Sequence, residues 1–156
     1  MSVIEVKVLP EWKEKADQYA REAGMPSMRT GKLAEYAVVA FFRGEGIPVR
    51  EDMTPSNTPD FFDINLGNTL VDVKSCLEPA QELRVTKLYF DKGRRFAFYI
   101  GAQVSRERER VIIFGFCSKE DVQKAKFRRI GRRVAYYIPF SQLRPIEALV
   151  QAFRKE

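Results

Sequence analysis

The stretch Pro59–Cys76, PDFFDINLGNTLVDVKSC, decides how the chain is read. Phe61 to Leu66 and Thr69 to Cys76 are rich in aromatic and β-branched residues, and Gly67-Asn68 between them suits a two-residue turn. The stretch therefore predicts a β-hairpin. Strands bury at least one face, yet this hairpin carries Asp60, Asp63, Asp72 and Lys74. With Gly67 and Asn68 as the loop, Leu66 faces Thr69 and Asp63 faces Asp72 across the ladder, Cβ atoms roughly 4.5–5.5 Å apart. Lys74 lies two residues beyond Asp72 and so shares that face. Two carboxylates held this close repel each other unless a cation sits between them. A hard divalent ion such as Mg²⁺, which takes oxygen ligands, suits the pair. The plainer reading is an exposed strand face with a cross-strand Asp–Lys pair.

Composition narrows the chemistry. The 156 residues are 45% hydrophobic with twelve Phe, which fits one globular domain spanning the chain. No apolar run reaches the roughly eighteen residues of a membrane span. The first nine residues carry Glu5 and Lys7 and lack the apolar core of a signal peptide. Cys76 and Cys117, each in a predicted strand, read as buried thiols, and a cytoplasmic setting is expected. Histidine is absent. That excludes Ser-His-Asp and Cys-His nucleophiles and zinc sites built on His, leaving carboxylates, Lys, Tyr or a metal. A net charge of +6 points to an anionic partner.

In chain order, Val3–Leu9 alternates as a short strand, and Pro10 opens a helix over Glu11–Ala23 that ends at Gly24. Trp12 on this helix reads as a packing residue. Thr30 can cap a helix over Gly31–Arg43, apolar nearly all round, with Glu35 as the one charge inside its apolar run. A carboxylate there is costly unless paired or coordinating, though the start of a helix also favours an exposed acid. Gly46–Glu51 reads as a short edge strand. After the hairpin, Pro79–Leu83 can start a helix, and Arg84–Phe90 is open between helix and strand. Phe96–Val104 reads as a central strand buried on both faces, paired with Val111–Cys117 across a charged turn. Ser118 caps a short helix to about Ala125. Lys124–Arg133, basic without an acid, is a solvated loop or a phosphate-binding patch. Val134–Ile138 is a strand, and Pro139–Arg154 an amphipathic helix.

The ordered set Gly31-Lys32-x-x-Glu35, Pro59-Asp60 or Asp63-Ile64, and Asp72-Val73-Lys74-Ser75 resembles the PD-(D/E)XK nuclease superfamily, with its restriction-endonuclease-like fold. The resemblance covers about Gly31 to Val104 and implies an α/β fold: a central mixed β-sheet flanked by helices, here with an N-terminal helical addition and a core over about residues 30–140. It implies a Mg²⁺- or Mn²⁺-dependent deoxyribonuclease. Asp63, Asp72, the Val73 carbonyl and Glu35 would hold the ion, and Lys74 would position or activate the attacking water. The family motif favours Asp60 as the strand ligand. The hairpin register favours Asp63, because Asp60 falls on the opposite face of a regular ladder. Lys32, Arg84, Lys87, Arg94, Arg95, Lys126, Arg128, Arg129, Arg132 and Arg133 would contact DNA phosphates. A homodimer is open, because many enzymes of this fold dimerise to cut two strands. No membrane contact or small-molecule cofactor is expected. The alternative is a nucleic-acid-binding protein of the same fold that does not cleave.

Overall fold

The computed structural model describes residues 3–51, 63–92 and 96–155. The chain forms β1 (Ile4–Lys7), α1 (Pro10–Ala23), α2 (Met28–Gly44), β2 (Val49–Glu51), β3 (Asp63–Leu66) and β4 (Thr69–Leu77). Then come β5 (Glu82–Thr86), α3 (Lys87–Lys92), β6 (Phe98–Val104), β7 (Arg110–Ser118) and α4 (Lys119–Gln123). The chain closes with β8 (Lys126–Ile130), β9 (Arg133–Pro139), a 3₁₀ turn (Phe140–Gln142) and α5 (Ile146–Arg154).

Two sheets organise these elements. The larger has six strands in the order β1-β7-β6-β4-β3-β2, and the smaller three in the order β5-β9-β8. In the large sheet β4 and β6 run parallel, while the other neighbours are antiparallel. It is therefore a mixed sheet, as expected, and the protein is α/β. β6 sits beside β4 and β7 and is buried along nearly its whole length, which explains its almost unbroken apolar sequence.

Strand alternation sorts the core into two layers. Val71 and Val73 of β4, Ile64 and Leu66 of β3, and Ile100 and Ala102 of β6 pack with Ala34, Val38 and Phe42 of α2. Ile146, Leu149 and Val150 of α5 join the same cluster. On the other face, Tyr99 and Cys117 pack with Leu83, Val85, Tyr136 and Ile138 of the small sheet and with Phe140. Trp12 is a packing residue, its ring 6.5 Å from that of Tyr36. Both cysteines are free thiols.

Four elements differ from expectation. α2 begins at Met28, so Thr30 lies inside the helix and does not cap it. Met28 packs on Ala20 of α1, and that burial extends the helix by a turn. No helix starts over Pro79–Leu83, and the open Arg84–Phe90 segment divides between β5 and α3. Residues 82–86 are strand because Leu83 and Val85 alternate with exposed Arg84 at the strand period. Part of the Lys124–Arg133 segment, read as a loop or a patch, is β8, which turns into β9 through Gly131 at φ 61. The last helix starts at Ile146 rather than Pro139. Pro145 disfavours helix at Arg144, whose backbone instead pairs with Phe116 of β7.

Candidate functional site

The site starts from the β3–β4 hairpin. Gly67 takes φ 63 in the two-residue turn, and the register pairs Leu66 with Thr69 and Asp63 with Asp72. This is the pairing derived from the sequence. Asp60 lies outside the described residues, as do Arg94 and Arg95.

Asp72 and Lys74 alternate with Val71 and Val73, so they project away from the α2 layer, toward the face that carries Tyr99. Asp72 is only 1% exposed and accepts an ion pair from the Lys74 ammonium at 3.1 Å. The parallel register sets Asp72 beside Tyr99 and Lys74 beside Gly101. Burial pushes the Tyr99 phenol well above its ordinary range, and the Asp72 charge adds to the effect. A Cβ at position 101 would come within 2.7 Å of Leu143 Cδ1 and 2.8 Å of Phe140 Cε1. Those two side chains therefore occupy the space that β6 leaves free next to Lys74.

Lys74 opens into a cleft of about 430 Å³, lined also by Ser75, Glu82, Arg84, Arg133 and Tyr137. The connection from β4 to β5 forms one end of it and is tied down on several sides. Glu78 N donates to Val104 O at 2.9 Å, Gln103 Nε2 to Ala80 O at 2.7 Å, and Phe140 N to Gln81 O at 2.9 Å. These bonds turn the chain out of the large sheet and into the small one. Because β5 pairs with β9, Arg84 and Arg133 line the same cleft although 49 positions separate them (133 − 84). Sequence reading placed them in separate basic regions. Glu82 and Tyr137 were not singled out; their strand alternation with Leu83 and Ile138 was the available signal.

Glu35 is 2% exposed, so it is not a surface acid at a helix start. Lys32, one turn earlier, donates to it at 3.0 Å and lies over the Tyr19 ring at 4.5 Å. Desolvation works to lower the Lys32 pKa, but the charge and hydrogen bond of Glu35 outweigh it and the net shift is upward. Lys87 pairs with Asp91 at 2.6 Å on α3. Lys126, Arg128, Arg129 and Arg132 are exposed on the β8–β9 hairpin, with Arg128 held by Glu82 at 3.2 Å. Among the described residues, no three His, Cys, Asp or Glu side chains gather into a metal-binding group. No helix among them is long and apolar enough to cross a membrane.

The arrangement is an α/β scaffold that presents a buried, lysine-paired carboxylate at the edge of a basic cleft. Residues 4–156 match the family described as "Protein of unknown function (DUF1822)", and the chain belongs to that family. No curated protein matches it.

Proposed function

We propose that this chain is a metal-dependent nuclease of the PD-(D/E)XK type, hydrolysing phosphodiester bonds in DNA. The observation that carries the reading is the hairpin register. It sets Asp63 across from Asp72, and Asp72 is ion-paired to Lys74 where the cleft shared by Arg84 and Arg133 begins. The order of parts supports it too: a helix bearing buried Glu35, a strand with Asp63, and the neighbouring strand with Asp72-Val73-Lys74, in a mixed sheet.

The donor set suits a hard divalent cation, because every ligand in the proposal is an oxygen. Asp72, Asp63 and the Val73 carbonyl would hold Mg²⁺ or Mn²⁺, with Asp60 or water completing the set. Glu35 belongs to α2, on the other face of β4, and is bound there by Lys32. When bound, such an ion supplies positive charge to the phosphodiester and acidity to a water. Lys74 would turn its ammonium from Asp72 to the attacking water or a phosphate oxygen, where it offsets charge developing in the transition state. Arg84 and Arg133 would grip the phosphates on either side of the scissile bond.

The test incubates the protein with supercoiled plasmid, single-stranded DNA and branched DNA, each with Mg²⁺ or with EDTA. Cleavage should require Mg²⁺ and drop by about 100-fold or more in Asp72→Ala and in Lys74→Ala, consistent with loss of a group that acts in the transition state. Mn²⁺ should raise the melting temperature of the wild type but not of Asp72→Ala. Cleavage that survives both substitutions, or no cleavage of any substrate, sinks the proposal. One observation favours a second reading, a binding protein that does not cleave: Lys74 already neutralises Asp72. DNA binding without Mg²⁺-dependent cleavage would select it.

A further inference from the structure

Phe127 is 54% exposed, more than any other large hydrophobic residue among those described. It lies on β8, the edge strand of the small sheet, in the run Lys126-Phe127-Arg128-Arg129. Its register partner is Tyr136, and the two rings lie 4.6 Å apart at 34°. Tyr136 is itself buried and braced edge-on by Phe90 at 5.1 Å. Phe127 is thus a ring held from behind by a fixed aromatic stack, with much of its surface open to solvent.

Its surroundings define what can cover it. Lys126, Arg128 and Arg129 flank it on the strand, and Arg132 and Arg133 follow in the turn and on β9. From Ala125 to Ile146 the chain has no Asp or Glu. Glu82 pairs with Arg128, but an apolar protein surface would have to bury Lys126, Arg129, Arg132 and Arg133 without supplying a counter-charge, which is costly. A flexible anion that carries a flat ring beside each charge matches both features: phosphates meet the cations and a base covers the ring. A duplex keeps its bases stacked internally and offers no free face to Phe127.

We infer that the β8–β9 hairpin binds single-stranded nucleic acid, with one base stacked on Phe127 and the neighbouring phosphates on Lys126 and Arg129. The substrate that enters the Lys74 cleft is then a single strand or the frayed end of a duplex. That last step rests on the nuclease reading; the stacking site does not. Arg128 points to the opposite face of β8 from Phe127, the face of the cleft: its guanidinium lies 4.6 Å from the ring centroid of Tyr137, which lines the cleft.

The experiment measures binding by fluorescence anisotropy without divalent ions. The probes are a 20-residue oligothymidylate, the same length of oligouridylate, a single strand of abasic sites and a blunt duplex. Phe127→Ala, a surface change that leaves the core intact, should weaken oligothymidylate binding about tenfold, in line with the value of one base–aromatic stack. Phe127→Trp should retain the affinity. The abasic strand should bind the wild type as weakly as oligothymidylate binds Phe127→Ala, and the substitution should leave duplex binding unchanged. The oligouridylate arm tells whether RNA shares the site. Equal losses on all probes, unchanged oligothymidylate affinity in Phe127→Ala, or no single-strand binding by the wild type would each overturn the inference. Asp72→Ala should leave the Phe127 effect untouched. A missing Mg²⁺-dependent cleavage with an intact Phe127 effect would therefore remove the nuclease reading alone, and the reverse result would remove the stacking site alone.

Discussion

Gly115 is a residue whose hydrogen side chain the fold requires. Its φ of 154 lies where L side chains are strained, and a Cβ there would collide with the Arg144 carbonyl oxygen. That carbonyl accepts from Phe116 N at 3.0 Å in the bridge that leads into α5. Gly115→Ala should destabilise the protein by about 2–4 kcal/mol, summing backbone strain and overpacking, and a denaturant titration would show it. Cys117, two residues on, makes a pH prediction. Burial pushes its thiol from 9.0 up to about 12, with the Asp121 charge adding and Arg144 opposing. Below pH 9.0 both folded and unfolded chains keep the proton, so nothing is lost. As pH rises from 9.0 towards 12, the unfolded chain ionises first and stability falls. Tyr99, raised in the same direction, adds to this decline above 10.0. Alkaline melting curves should slope downward in this window, and Cys117→Ala should make the slope shallower whatever its own baseline. At this scale the sequence was partly readable. Asp72 and Lys74 stood out because charges do not belong on a buried strand, whereas the pressure on Gly115 comes from Arg144 and could not be seen.

Helix α4 shows an element stabilised by local chemistry. Ser118 Oγ accepts from Asp121 N at 3.1 Å, and Asp121 Oδ2 accepts from Ser118 N at 2.9 Å, a reciprocal capping box. Burial alone would raise the Asp121 pKa, but these bonds and Arg144 at 3.0 Å bring it below 3.8. Its contribution is present above pH 3.8 and lost as pH falls through the lower folded value. Ser118→Ala should cost about 0.5–2 kcal/mol in thermal or chemical unfolding at neutral pH. The cost should shrink in acid, where Asp121 is protonated. This cap was legible in four residues because its bonds are local. The hairpin of β3 and β4 was legible for the same reason: a two-residue turn sets its register. β5 and β8 were not. The partner of β5, β9, is remote in sequence and Pro79 suggested a helix start, whereas β8 pairs with the adjacent β9 but its run of cations masked the alternation.

Across the whole molecule, the small sheet brings Arg84 and Arg133 to one cleft beside Lys74. If both contact phosphates of one strand, each contributes separately to counterion release. Arg84→Ala and Arg133→Ala should each flatten the slope of log affinity against log salt by about 0.7–0.9, with little change in melting temperature. A salt titration of DNA binding checks this; an unchanged slope would place the two residues off the path of the strand.

The sequence by itself determined the hairpin, its register and the pairing of Asp63 with Asp72. It also determined the apolar helix around Glu35 and the central strand β6. All of these depend on neighbours close along the chain or on periodicity within one element. Only the tertiary structure decided that a second sheet closes over the face bearing Tyr99, that the two basic segments converge, and that Phe127 stands exposed among cations. Those outcomes depend on long-range strand pairing, whose partners are chosen by how whole faces bury against each other and not by any local pattern.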